Sequence, residues 1–315
     1  MAHVHNLWYR ISPSAYAACR EAGVPVVQTL HNFRMFCANA LLLRDGRPCE
    51  ECVGTVPWRG VWHGCFRGSR LATAPVVFTE WLHAARGTWL EGADRFIALS
   101  QFSLERFVAC GLPRERISVK PNFLANPPLS KDGPGAGAVN VGRLTAEKGV
   151  PVLLDAASRV GNKDFTLAIV GDGTLRMAVD QAAARSNGRI RAVGSLSRLG
   201  CLEAMRRALF VVVPSVCYEN FPLAIVEAFA CGTPVLASRL GAMAELVEDG
   251  VTGRLFAPGD AADLAAALDW LTAHPEECSE MGQAARAVFE EHYTADKNFE
   301  ILLSIYRQVA SGAPS

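Results

Sequence analysis

The sequence predicts an α/β chain built from two parallel-sheet units. Three observations lead there. Short apolar runs alternate with helical stretches along almost the whole chain. The runs are nearly continuous in apolar residues, as strands covered on both faces require. A glycine- and proline-rich stretch at 132–137 interrupts the pattern, and the alternation then restarts.

Before the interruption, 26–30, 95–99 and 117–120 read as buried strands, with 2–5 as an earlier strand-like piece. Helical segments lie near 12–22, 71–90 and 101–110. After it, the strands are 138–142, 165–170, 190–193, 209–213 and 234–238, with helices between them and three more running to Val309. This order predicts two Rossmann-like domains, at 1–133 and 134–293, and a final segment 294–315. Ligands on such sheets bind beyond the carboxyl ends of the strands, at the point where strand order reverses. The stretch 33–70 breaks the alternation, which marks it as an insertion that is functional or internally stapled.

The chain has 315 residues and is 50% hydrophobic, enough for two cores. No apolar run is long enough to span a bilayer. The first residues carry neither a basic nor an apolar signal region, so the expected compartment is the cytoplasm. Residues 1–130 hold 14 Lys and Arg against 9 Asp and Glu, whereas 131–315 hold 17 against 22. That excess is too small for a nucleic-acid binder. It fits either peripheral contact of the first half with the inner face of a membrane or ordinary surface variation.

Four cysteines cluster as Cys37-x11-Cys49-x2-Cys52-x12-Cys65. A Cys-x2-Cys knuckle with two outlying thiols supplies four soft ligands, the set of a closed structural zinc site with mutually close sulfurs. Four reduced thiols in a packed insertion, or a disulfide pair, are the alternatives.

Chemistry-bearing residues follow the later strands. Gly142-Arg143-Leu144-Thr145-Ala146-Glu147-Lys148-Gly149 places two cations at one strand end, which suits a diphosphate as well as it suits a solvated loop. Gly142 lets backbone approach a ligand. Gly171-Asp172-Gly173 permits a similar approach, a weak signal by itself. The run from Pro214 to Ala228 contains Glu219 ahead of a helix and Glu227 inside it. Pro222 suits the first helical turn, whose free N–H groups and positive dipole end favour an anion. Glu227 sits among apolar neighbours, where a carboxylate needs a partner such as a ribose diol.

Taken together, Glu219-x7-Glu227, Gly142-Arg143-Leu144 with Glu147-Lys148-Gly149, Val170 to Gly173 and Gly250-Val251-Thr252-Gly253-Arg254-Leu255 resemble the donor domain of glycosyltransferase family 4, the group 1 transferases. The resemblance runs without a gap from about 138 to 290. It implies a GT-B fold, a retaining mechanism and a nucleoside diphosphate-sugar donor, UDP- or GDP-linked. It implies that Arg143 and Lys148 hold the diphosphate, Glu227 the ribose and Glu219 the sugar hydroxyls. The backbone around Asn220, Phe221, Pro222 and Leu223 would line the phosphates and sugar. The first half matches more loosely. His3-Val4-His5-Asn6 resembles the strand that opens the cleft, and His31 the histidine that faces the donor sugar. A lone histidine is otherwise more often a core or surface residue. Ser100 and Asn122 fall at further matching loops, and 294–309 resembles the helix that crosses back to the first domain.

The resemblance implies glycosyl transfer to a hydroxyl acceptor, a saccharide or a lipid-linked one, in cell-envelope polysaccharide or glycolipid synthesis. No Asp-x-Asp occurs, in keeping with metal-free stabilisation of the leaving diphosphate. An epimerase on the same scaffold and a non-catalytic nucleotide-sugar binder are the competing readings. A nicotinamide-linked dehydrogenase is disfavoured, because no strand runs into Gly-x-Gly-x-x-Gly with an acidic residue downstream. No Gly-Gly pair precedes residue 130, and the first domain opens on what resembles an inner strand. The expectation is therefore an incomplete first domain with an open apolar sheet edge.

Overall fold

The computed structural model describes residues 1–6, 13–131 and 133–311. Asp132 of the linker stretch lies outside them. Contacts divide the chain into two compact units, one of Met1–Asn122 with Asn298–Ser315, the other Phe123–Lys297.

In the first unit, β1 (Ala2–Val4), β2 (Val26–Thr29), β5 (Arg95–Ala98) and β6 (Ile117–Val119) form a parallel sheet in the order β1-β2-β5-β6. β2 and β5 are buried throughout, whereas the edge strand β1 is half-buried. The helices are α1 (Ser14–Glu21), α2 (Trp58–His63), α3 (Arg70–Ala85), α4 (Thr88–Gly92) and α5 (Gln101–Ala109). The single helix expected over 71–90 is two, because Gly87 takes the left-handed conformation (φ 66°) and turns the chain between them. The last helix, α13 (Ala295–Ala310), packs Ile305 on Val27 and Ile97 of this sheet.

The insertion contains a small hairpin, β3 (Leu43–Arg44) with β4 (Arg47–Pro48). Its four cysteines are close enough for one another's charge to add to burial, which pushes the Cys52 thiol up to about 12. They do not form the expected zinc site. Among the described residues no three His, Cys, Asp or Glu side chains are disposed to hold a metal ion. Cys37 is buried and donates to Asn39 Oδ1 at 3.0 Å. Other bonds hold the segment. Asn39 Oδ1 accepts from Leu41 N, its amide donates to Leu43 O at 2.6 Å, and Arg44 pairs with Glu51 at 2.6 Å. Thr73 of α3 binds Phe66 through both its N–H and its carbonyl.

α3 also carries a buried carboxyl. Glu80 is 1% exposed, and neither oxygen has a hydrogen-bond partner. Burial raises its pKa to about 8, with the charge of Arg34 acting the other way.

In the second unit, β7 (Ala138–Val141), β8 (Leu167–Val170), β9 (Ile190–Gly194), β10 (Phe210–Val213), β11 (Val235–Ser238) and β12 (Gly253–Phe256) form a parallel sheet in the order β12-β11-β10-β7-β8-β9. The strand Gly253–Phe256 overlaps the Gly250–Leu255 motif, where the apolar pattern predicts no strand. Helices α6 (Val150–Arg159), α7 (Arg176–Arg185), α8 (Arg198–Arg207), α9 (Leu223–Ala230) and α10 (Ala242–Leu246) connect the strands. α11 (Ala261–Ala273) and α12 (Pro275–His292) follow. Leu153 of α6 and Leu264, Leu268 and Leu271 of α11 are completely buried in one apolar cluster with β7, β8 and β10. Asp260 caps α11 by accepting from Ala262 N and Asp263 N.

Strand order reverses between β7 and β10, which lie side by side at the middle of this sheet. The loops that leave them are pressed together. Gly149 (φ 74°) sits where a Cβ would come within 1.8 Å of the Pro214 carbonyl oxygen, and Val216 N donates to Glu147 O at 3.0 Å.

Two consequences are measurable. An unfolded Glu80 ionises near 4.5, whereas the folded one keeps its proton to about 8. The folded state therefore holds the extra proton in that window, and stability falls as pH rises through it. Glu80→Gln should abolish this fall, a gain on the order of a few kcal/mol above pH 8 in denaturant titrations. A fall as large in the variant would show that Glu80 is not its source. Gly149→Ala must displace the 214–216 backbone and hold a left-handed alanine, so the second unit should lose about 3 kcal/mol of stability. A loss below about 0.5 kcal/mol would mean that the two loops are not in contact.

Candidate functional site

The carboxyl ends of β7 and β10 open into a cavity of about 220 Å³. Arg143, Lys148, Ser215 and Glu219 line it, and Pro222, Leu223 and Ala224 bring in the start of α9. Pro222 is the residue before the first helical turn rather than within it, and Ile225 N donates to its carbonyl at 3.0 Å. No side chain caps this end. The first N–H groups of α9, which have no acceptor within the helix, thus meet the cavity. Gly142 lines it as well, and a Cβ there would meet no protein atom within 4 Å.

The charged groups are held differently. Lys148 Nζ donates to Glu219 Oε2 at 2.7 Å, and Ser215 Oγ donates to Glu219 Oε1. Both ionic side chains are more than two-thirds buried, so the pair is better shielded than a surface ion pair. Arg143 is 68% exposed and only 3.8 Å from Glu147. Its guanidinium is loosely tethered and available to an anion.

Gly171, Asp172 and Gly173 do not line this cavity. They receive the 142–144 loop: Leu144 N donates to Asp172 O at 2.9 Å, and a Cβ on Gly171 would sit 1.8 Å from Gly142 O. Glu227 lies one helical turn beyond Leu223. Its carboxylate is 3.7 Å from Arg198, and burial raises its pKa against that positive charge. Arg143, Lys148 and Glu219 therefore converge, while Glu227 faces Arg198. Asn220 is buried with its Oδ1 unpartnered, and the Phe221 ring meets Tyr293 edge-on at 5.9 Å.

In the first unit, His31 follows β2 and joins a chain of rings. His5 Nδ1 and His31 Nε2 are 2.8 Å apart, and the His3 and His5 rings stack at 4.5 Å. His3 bonds Thr29 Oγ1 at 2.7 Å and Tyr306 OH at 2.6 Å. Burial lowers all three pKa values, that of His3 to about 4, and the nearby Lys120 charge lowers them further. His31 is therefore a neutral hydrogen-bonding ring at pH 7. Ser100 does structural work: it accepts from Ser103 N in a reciprocal cap at the start of α5. Asn122 closes the first unit's long segment.

Ser215 and Asn140 escaped the sequence reading. Asn140 is buried in β7, lines the cavity, and donates to Val212 O at 2.9 Å. A polar residue within an otherwise apolar strand was the signal for it. The His3–His5–His31 contacts had no signal, because they depend on the register of β1 against β2.

Comparison with known proteins bears on both units. The family model described as "Glycosyl transferases group 1" matches residues 136–274, and "Glycosyl transferase 4-like domain" matches 1–122. Glycogen synthase of Mycobacterium tuberculosis is 36% identical over 185 residues, 57% of this chain and 43% of that protein. Phosphatidyl-myo-inositol mannosyltransferase of Mycobacterium leprae is 36% identical over 160 residues, 50% of this chain and 41% of that one. Each match thus spans less than half of the relative's length. Among solved structures, Anabaena HepE in complex with UDP-glucose aligns with a TM-score of 0.69 at 23% identity, over 94% of this chain and 75% of that chain. Sucrose-phosphate synthase from Thermosynechococcus elongatus aligns with a TM-score of 0.70 at 22% identity, over 99% and 74%. With two parallel sheets of GT-B type and a family match to each unit, the chain belongs to the group 1 glycosyltransferases.

Proposed function

We propose that the chain transfers a glycosyl group from a nucleoside diphosphate-sugar to a hydroxyl acceptor with retention of configuration. One observation carries this reading: the cavity at the strand-order reversal is lined by Arg143, Lys148 and the uncapped start of α9. Two cations and a helix N-terminus around one small cavity suit a diphosphate. The HepE complex with UDP-glucose, on the same fold, favours a UDP-linked sugar. A GDP-linked sugar is the other candidate donor.

In the proposed step, the bond from the anomeric carbon to the diphosphate oxygen breaks as the acceptor oxygen bonds to that carbon on the same face. The acceptor proton passes to the departing diphosphate. Negative charge grows on that diphosphate, so Arg143, Lys148 and the α9 dipole act on the transition state more than on the bound donor. Lys148 donates to Glu219. A diphosphate that takes over Lys148 releases Glu219 to accept from sugar hydroxyls. Glu227 would take the ribose, exchanging its 3.7 Å contact with Arg198 for two hydroxyl donors. No resident metal is needed in this scheme.

The acceptor is proposed to be a saccharide or lipid-linked alcohol of the cell envelope, reached by a peripheral protein at the inner membrane face. The mannosyltransferase relative named for a phosphatidylinositol supports a lipid-linked acceptor. Among the described residues no helix is long and apolar enough to cross a membrane.

Release of free nucleotide together with a glycosylated product tests the reaction, since an epimerase or a mere binder yields neither. Arg143→Ala should lower kcat by about 10²-fold or more, as the loss of one charge-stabilising donor does. A change confined to KM would remove Arg143 from transition-state stabilisation.

A further inference from the structure

α3 is apolar on both sides, although it lies at the surface. Its inner side packs Val76 and Val77 with Ala38 of the insertion and Val61 of α2 in one apolar cluster. On its outer side, Leu71, Pro75, Phe78, Leu82 and Ala85 recur at helical spacing. Leu71 is 90% exposed and Phe78 51%, with Pro75 and Ala85 exposed beside them. A surface helix normally turns a polar face to water, and one that is apolar on both faces belongs against a second surface.

α2 extends this outer face. Trp58 and Trp62 are exposed, Trp62 by 71%. The Trp58 and Trp81 rings lie 6.2 Å apart and those of Phe78 and Trp81 5.7 Å, so the rings of the two helices form one continuous patch. Nearly half of the exposed large apolar side chains among the described residues fall between Val56 and Leu90.

The charges around the patch have one sign. Between Glu51 and Glu91 the only acidic residue is Glu80, which is buried. Glu51 and Glu91 themselves pair with Arg44 and Arg20. The same stretch holds Arg59, Arg67, Arg70 and Arg86, all exposed. The Arg70 guanidinium lies 5.3 Å from the Trp62 ring, and that of Arg67 5.2 Å from the Phe66 ring. Arginine stems lie along apolar surface while their heads stay in water. A second copy of this chain would set these arginines against themselves, with no exposed carboxylate in the stretch to meet them. A surface with negative headgroups over an apolar interior matches both the rings and the charges, and tryptophan favours that boundary.

We propose that the outer face of α2 and α3 docks on an anionic lipid bilayer. Trp58, Trp62, Leu71, Phe78 and Trp81 enter the headgroup layer, and the four arginines meet its charge. This gives a surface to the membrane location proposed above, and it rests on that part of the reading rather than on the donor site.

The test is sedimentation of the full chain with two kinds of vesicle, phosphatidylcholine alone and phosphatidylcholine mixed equally with phosphatidylglycerol. The chain should bind the mixed vesicles at least about tenfold more tightly, as several arginines near an anionic surface provide. High salt should narrow that gap. Leu71→Ser with Phe78→Ser keeps every charge and should weaken binding to the mixed vesicles about tenfold or more. Arg67→Glu with Arg70→Glu keeps the apolar face and should remove the preference for the mixed vesicles. All four positions are exposed, and an unchanged Tm checks that each variant folds. Undiminished binding by either variant would overturn the proposal and assign the membrane contact to another surface. Absence of binding to both vesicles would overturn the membrane location as well, leaving the face to a protein partner. Self-association that the serine variant abolishes, without vesicle binding, would make the face a contact between copies and overturn the proposal too.

Discussion

The second unit of the protein depends on one close approach. Where strand order reverses, the loop leaving β7 must touch the loop leaving β10, and Gly149 lies against the Pro214 carbonyl with no room for a side-chain carbon. That contact sets where α6 begins and where the 142–149 loop turns back. It also brings Lys148 within 2.7 Å of Glu219, although 71 residues separate them in sequence. Gly171 and Gly173 support the same loop from the other side, each replaced side chain giving its place to backbone of 142–144. Three strand-end segments thereby become one rigid rim, and rigid placement of charge is what lets a site stabilise a charge that grows during reaction.

The two cations on that rim differ in kind. Lys148 is half-buried beside a carboxylate that a serine also holds, and that pairing fixes its position. Arg143 is exposed and only weakly opposed by Glu147. A planar, bidentate donor with little to hold it elsewhere adapts to a phosphate, whereas an ammonium in a preset position defines where the phosphate sits. The neutral histidines of the first unit show a contrasting economy: their rings are tied to one another, to Thr29 and to Tyr306, so they offer hydrogen bonds without charge.

Much of this was legible in the sequence. Apolar runs located the sheet strands closely, as β2, β5, β10 and β11 show, because buried parallel strands leave little room for polar residues. The motif at 142–149 announced its own strand end. Three features were not legible. The cysteine spacing suggested a metal knuckle, yet Asn39, the Arg44–Glu51 pair and Thr73 hold the insertion, through bonds whose partners no local spacing reveals. Glu80 and Trp89 lay within a helical stretch that looked like any other, and only the folded insertion leaves their polar atoms buried without partners. Strand Gly253–Phe256 went unread because a single apolar pair, Leu255 and Phe256, is too short a signal.

The central claim is that the β7–β10 cavity is built for a diphosphate. Its most direct test is the affinity of the chain for UDP, UMP and uridine in titrations at low and high salt. If Arg143, Lys148 and the start of α9 hold the phosphates, UDP should bind about 10²-fold more tightly than uridine at low salt, with UMP between. The gap should narrow as salt screens the exposed guanidinium. Equal affinity for UDP and uridine, or a gap indifferent to salt, would contradict the claim.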